Sequence, residues 1–241
     1  EHIVYRGQQD IAAALFFRFV NLNYSEFQGD EVAVLDEAAA SIQGSDDALY
    51  FHRKGPAEIL VPMLGYAASR RMSEGVGRFP FALASLTGVL GLHVLGRRFL
   101  SQRAGWWAAL LIALNGFYVA FGRIIQYQSL VFLFGVLGLL CALRFVERFK
   151  QCYLWLSAVF LAMGLLAHSD GAFATAAAAF VILRACWRQR MPLDRIIRSL
   201  IGPGILAVAL LTAFYVPFAL HPHFRSTREY FQWRAGYPPF N

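Results

Sequence analysis

Pro56-Ala57-Glu58-Ile59-Leu60-Val61-Pro62-Met63-Leu64-Gly65-Tyr66-Ala67-Ala68-Ser69-Arg70-Arg71 is the stretch on which the reading of the whole chain turns. Residues 56–72 are apolar, but they fall short of the roughly 20 residues that cross a hydrocarbon core about 30 Å thick. They also carry Glu58, Pro62 and a basic end, and an ionisable side chain at membrane depth is costly. The segment therefore reads as an interfacial or re-entrant helix. Whether it crosses decides on which side of a membrane every preceding residue lies.

Outward from it run the apolar segments 79–96, 104–122, 129–146, 152–167, the Ala-rich 171–187 and 200–220. Each is close to spanning length once tilt and Arg or Trp anchors are allowed for. With 58% hydrophobic and 15% charged residues and a mean hydropathy of +0.47, the composition excludes an ordinary soluble domain. The net charge of +7 is then a matter of position and gives no reason to expect nucleic acid, because Lys and Arg collect on the cytoplasmic side of membrane proteins. Arg97, Arg98 and Arg103 follow the first run, Arg144, Arg148 and Lys150 close the third, and Arg188, Arg190, Arg195 and Arg198 follow the fifth. The intervening turns hold Arg123 alone or, across His168-Ser169-Asp170-Gly171, no Lys or Arg at all. The positive-inside rule puts the basic turns in the cytoplasm and the sparse ones outside. If 56–72 does not cross, the acidic segment 21–55 shares the external face with Arg123 and Asp170. If it does cross, they are on opposite sides.

The expected fold is all-α, a polytopic transmembrane helical bundle with juxtamembrane helices in the first external loop. The chain reads as one membrane domain, 1–241, cut from a longer protein at both ends. Residues 1–23 would be the remnant of a first span, although the apolar run 11–20 also suits an interfacial helix. Residues 24–78 would be the external loop, 79–220 six transmembrane helices, and 221–241 the start of another external loop. Within 24–78, Val32, Leu35, Ala39 and Ile42 recur at helical spacing and predict an amphipathic surface helix. Cys141, Cys152 and Cys186 have no metal-ligand or framework spacing and read as free thiols.

The polar residues that the spans leave at one membrane face are the candidates for chemistry. Asp30 and Glu31 follow Gly29 and open the surface helix, so one reading makes Asp30 an N-cap and Glu31 a first-turn carboxylate. The other makes Asp30 a general base, its proton affinity raised by partial desolvation at the bilayer rim. Lys54 either snorkels to lipid phosphates or holds the phosphate of a lipid-linked substrate as it departs. Arg78 and Arg123 add charge to that surface. Gln126 and Gln128 are amides suited to sugar hydroxyls, in a turn where Arg123 and Tyr127 also fit an anchoring role. His168 and Asp170 lie at the end of a span, where Asp170 equally suits a helix cap. A divalent cation at His168, Asp170, His221 and His223 has no spacing motif behind it, and no metal is expected.

In order and spacing these elements resemble the bacterial polyprenyl- or dolichyl-phosphate-sugar glycosyltransferases of the GT-C fold. That group comprises the protein O-mannosyltransferase family and its relatives that transfer aminoarabinose to lipid A. The likeness rests on Asp30-Glu31, Lys54-Gly55-Pro56, Arg78-Phe79-Pro80, Gly96-Arg97-Arg98-Phe99 and Arg123. It implies that Asp30 is the catalytic base, that Lys54 contacts the carrier-lipid phosphate and that 56–72 is juxtamembrane. Gln128 stands where many relatives have Asp, and Asp170-Gly171 where some have Lys-Gly. The resulting expectation is a multi-pass enzyme of the bacterial plasma membrane with its site on the external, periplasmic face. It would move a sugar from a polyprenyl-phosphate donor to a hydroxyl of a protein, lipid or glycan acceptor. Glu31, Lys54, Arg78, Arg123, Gln126, Gln128, His168 and Asp170 would bind substrate, with no cofactor beyond the lipid-linked donor. The alternative is a transporter or flippase, whose charged or broken helices would lie near the bilayer midplane.

Overall fold

A computed structural model describes residues 12–45, 47–71 and 73–236; residues 1–11, which the expected first-span remnant includes, and 237–241 of the expected tail lie outside it. The described residues are helical and contain no strand. The chain begins with α1, seen over 12–19, then α2 (Asp30–Ile42), the single turn α3 (Ala48–Phe51) and α4 (Ala57–Ser69). There follow α5 (Glu74–Phe99), α6 (Gln102–Leu114), the short α7 (Gly116–Phe121), α8 (Gln128–Arg148), α9 (Gln151–Ala167), α10 (Gly171–Arg188) and α11 (Leu193–Leu220). A final helix, α12 (Phe224–Arg234), occupies what the sequence presents as the start of a loop.

Four helices, α5, α8, α10 and α11, are long and apolar enough to cross a membrane. The six expected spans are thus modified in two places. The segment 104–122 is not one helix, because Asn115 (φ −67°, ψ 118°) breaks it and its Oδ1 accepts from the Tyr118 amide to start α7. Helix α9, at 17 residues, is one residue shorter than α10, the shortest of the four. The first span also begins five residues before its apolar run, at Glu74. Ser73 caps it by accepting from the Val76 amide, an end that hydropathy does not mark. At 13 residues and about 1.5 Å per residue, α4 measures about 20 Å.

Helix α8 is the axis of the bundle and packs on α5, α9 and α10; α6 lies on α5, and α11 on α9. Ser157 in α9 donates to the Gly138 carbonyl of α8 at 2.9 Å. At one end, Arg98 of α5 pairs with Glu147 of α8 at 2.9 Å, and Phe145 packs with Ile182 and Cys186 of α10. The C-termini of α5, α8 and α10 therefore gather there, and the basic residues with them. Their N-termini gather at the other end, over a core of Val34, Leu35, Ile59, Phe81, Ile125 and Leu130 that α2 and α4 close. The outer face of α11, from Ile201 and Ile205 to Leu220, is exposed and apolar, a surface suited to lipid.

The buried face of α2 differs from the expected stripe. Glu31, Val34, Leu35 and Ala38 are buried, whereas Val32 and Ile42 are 43% and 52% exposed. Two stripes of helical spacing were available, and the one that carries Glu31 faces inward because Glu31 has a buried cation to meet.

Candidate functional site

That cation is Arg78, in the second turn of α5 and fully buried. Its Nε donates to Glu31 Oε1 at 2.9 Å and its Nη2 to Oε2 at 2.8 Å, a bidentate pair. The remaining donors reach the carbonyls of Leu22, Ser25 and Glu26 at 2.9, 3.0 and 3.2 Å. Glu31 Oε1 also accepts the Ile125 amide at 3.0 Å, just before α8. The pair thus ties α2, the 22–26 loop, α5 and the entrance of α8 into one knot. Neither side chain is left free for substrate.

Asp30 is the open half of the carboxylate pair, its side chain 64% exposed. It is the first residue of α2 and not its N-cap; Gly29 holds that position at φ 50°, ψ −118°, and no side chain caps the helix. That backbone conformation is one which residues with a Cβ avoid. Lys54 Nζ donates to Asp30 Oδ2 at 3.2 Å and Gln126 Nε2 donates to the same oxygen at 3.0 Å. The Lys54 charge holds the Asp30 carboxyl below its ordinary range, opposite to the rise that rim desolvation predicts. With most of its side chain in the open, the neighbouring charge outweighs desolvation.

Lys54 is seated by Gly55, whose α-carbon lies so close to the end of α9 that an added Cβ would fall 1.9 Å from the Leu166 carbonyl oxygen. This docking brings Lys54 Nζ to 5.2 Å from the centre of the Tyr127 ring. Tyr127 stacks on His168 at 3.8 Å and 12°. His168 Nδ1 in turn lies 3.2 Å from Asp170 Oδ1 and accepts the Asp170 amide at 3.2 Å. Burial pushes the His168 pKa below its ordinary value against the pull of Asp170.

Asp30, Lys54, Gln126, His168 and Asp170 therefore form one chain of contacts with Tyr127, at the bundle end opposite the basic turns. Four expected site residues do not join it: Glu31 and Arg78 form the knot already described, and Arg123 and Gln128 face elsewhere. Arg123 turns its guanidinium to the carbonyls of Phe17, Val20 and Asn21 at 2.8, 2.8 and 3.0 Å, closing the C-terminus of α1. Gln128, the first residue of α8, buries its side-chain oxygen with no hydrogen-bond partner among the described residues. His221 pairs with Asp47 at 3.1 Å and stacks on His223, apart from the His168–Asp170 pair.

Glu58, His52 and Glu37 complete the site's wall, and none of them stands out as a site residue in the sequence. Glu58 is fully buried; its Oε1 accepts the Tyr127 amide at 3.1 Å and its Oε2 lies 2.7 Å from His52 Nε2 and 3.7 Å from Lys54 Nζ. His52 Nδ1 lies 3.0 Å from Glu37 Oε2. Burial alone would lower the His52 pKa, but the close contacts and negative charges of Glu37 and Glu58 outweigh it and raise it to about 9. An ionisable residue inside an apolar segment was the available signal for Glu58. His52 and Glu37 converge only through the α2–α4 packing.

Raising His52 from its ordinary 6.5 to about 9 makes folding bind a proton. The resulting stabilisation, on the order of 3 kcal/mol, is complete below 6.5 and is lost as pH rises through about 9. Melting curves between pH 6 and 10 should therefore show wild type losing its advantage over His52→Gln as the pH rises. A constant gap would contradict a charged His52 between Glu37 and Glu58.

The sequence profile of the family described as dolichyl-phosphate-mannose-protein mannosyltransferase matches residues 63–215, well over half of the chain. Arg78, Arg123, Gln126, Gln128, His168 and Asp170 lie inside that interval, and Asp30 and Lys54 precede it. The chain matches no curated protein and no solved structure.

Proposed function

Since this chain belongs to the dolichyl-phosphate-mannose-protein mannosyltransferase family, and so is a multi-pass membrane glycosyltransferase, we propose a reaction centred on Asp30. A sugar carried on a polyprenyl phosphate is transferred to an acceptor hydroxyl at the end of the bundle that holds Asp30, Lys54 and Gln126. Asp30 takes the hydroxyl proton as the acceptor oxygen bonds to the anomeric carbon. The bond from that carbon to the phosphate oxygen breaks with inversion, and the carrier leaves as a phosphate anion. Lys54 stabilises the negative charge that develops on the leaving phosphate, aided by the positive N-terminal ends of α5, α8 and α10. The basic turns at the far end support a cytoplasmic assignment for that end and an external, periplasmic one for the site.

The observation that carries this reading is the division of labour within the carboxylate pair. Glu31 is consumed by Arg78, whereas Asp30 is exposed and held by an ammonium that a phosphate can claim. Asp30 is a weak base while Lys54 faces it. Once Lys54 turns to the donor phosphate, the largest cause of its lowered pKa is withdrawn and its proton affinity rises as the acceptor needs it.

Membranes containing the protein, supplied with dolichyl-phosphate mannose and an acceptor, should release dolichyl phosphate. Asp30→Asn should slow that release by about 10²–10⁴-fold. Equal release by Asp30→Asn and wild type would remove Asp30 from the role of base.

A further inference from the structure

We propose that His52 is a positioning residue for Lys54: by occupying Glu58 it leaves the Lys54 ammonium directed at Asp30 and at the phosphate of the donor. The inference rests on the assignment of Lys54 to that phosphate.

Glu58 is the most deeply buried carboxylate at this end of the bundle, and a buried anion claims a cation strongly. Two cations are within reach of the same oxygen, His52 Nε2 at 2.7 Å and Lys54 Nζ at 3.7 Å. His52 holds the nearer place. Its other nitrogen faces Glu37 Oε2 at 3.0 Å, a charge contact that places the imidazolium between two carboxylates. Glu58 Oε1 is meanwhile satisfied by the Tyr127 amide. Lys54 is left in second rank to Glu58 and makes its closer contact with Asp30, at 3.2 Å.

Without the imidazolium the order reverses. The side chain of Glu58 is 0% exposed and that of Asp30 64%, so solvent screens Asp30 and leaves Glu58 the stronger attractor. Lys54 then closes on Glu58 and withdraws from the mouth of the site. The charged groups around His52 are Glu37 from α2 and Glu58 from α4, with Lys54 and Asp30 one step beyond. With His52 charged, three carboxylates face two cations; without it they face one, a poorer site for an incoming phosphate.

The test is a set of variants of the full chain in membranes, with KM and kcat measured against dolichyl-phosphate mannose at pH 7. His52→Gln should raise KM about tenfold, the equivalent of one charge-assisted contact, with a smaller change in kcat. Removing the competing anion as well, in His52→Gln/Glu58→Gln, should bring KM back to within about threefold of wild type. His52→Lys, which keeps the charge, should also stay within about threefold. A merely structural His52 gives no such rescue, because the double variant has lost two polar partners. A double variant as poor as His52→Gln, or a wild-type KM in His52→Gln, overturns the inference. Should His52→Gln fail to fold, His52→Lys and the double variant carry the test, and a tenfold KM rise in either overturns it. Lys54→Met separates the layers: if its KM matches wild type, the assignment of Lys54 to the phosphate falls first. If Lys54→Met loses donor affinity while His52→Gln keeps it, only the role of His52 falls.

Discussion

Arg78→Met is expected to destabilise the protein by about 3–5 kcal/mol, the cost of leaving one member of a buried ion pair without its partner. Glu31 would remain 4% exposed with its cation gone, and the carbonyls of Leu22, Ser25 and Glu26 would lose their donor together. The damage is local in origin but wide in reach, because this knot joins the start of α2 to α5 and to the entrance of α8. Replacing both partners, in Glu31→Gln/Arg78→Met, should recover part of the loss, since two neutral groups tolerate burial better than one orphaned charge. Thermal melting of the purified variants measures this. If Arg78→Met melted like wild type and lost only donor affinity, Arg78 would belong to the substrate, as its place in the sequence suggests, and not to the scaffold.

Gly55→Ala should be nearly as damaging, for a geometric reason. The new carbon would meet the Leu166 carbonyl oxygen at 1.9 Å, the Leu166 carbonyl carbon at 2.5 Å and the Ala167 oxygen at 2.9 Å, and backbone atoms cannot rotate aside. The segment 52–56 must lift off α9, at a cost of about 1–3 kcal/mol. Lys54 moves with it, away from Tyr127 and Asp30. A displacement of about 1 Å in a positioning group costs about 10²-fold in rate, so transfer should fall much further than stability. Gly204→Ala in α11, where the added carbon meets nothing within 4 Å, is the matched control and should leave transfer unchanged. Equal activity in the two variants would show that the docking of Gly55 on α9 does not place Lys54.

The fold was legible in the sequence wherever hydropathy alone decides it. The apolar runs 129–146, 152–167 and 171–187 became α8, α9 and α10 within a few residues; α5 and α11 start five and seven residues before the runs 79–96 and 200–220, and α4 proved short. What hydropathy cannot register are single polar groups that start or stop a helix, so Asn115 breaks an apparent span and Ser73 begins α5 early. The helix in the tail escapes hydropathy for a related reason: Phe224–Arg234 is too polar to register as apolar, and its helix is built from local hydrogen bonds. Among the candidate site residues, Asp30, Lys54, Gln126, His168 and Asp170 emerged as neighbours because all lie in segments at the same end of the bundle. Arg78, Glu31 and Arg123 were conspicuous for the same reason, and nothing in their spacing reveals that Arg78 and Glu31 spend their hydrogen bonds on the protein or that Arg123 turns to the end of α1. His52, Glu37 and Glu58 meet across three elements, a convergence for which no pattern along one chain can stand.

The break at Asn115 bears on how the protein is made. A helix that ends at Leu114 leaves its last carbonyls without intrahelical partners, and those of Ile112 and Ala113 accept from Arg18 at 3.3 and 3.2 Å, while Ser85 takes a third bond at 2.8 Å. Arg18 is a fully buried cation in α1, yet these carbonyl partners are 94 and 95 residues away along the chain. A ribosome emits α1 long before α6 exists. During that interval Arg18 has to stay with water or lipid phosphate at the interface, so α1 takes its buried place only once the broken end of α6 has been made, 94 to 95 residues later.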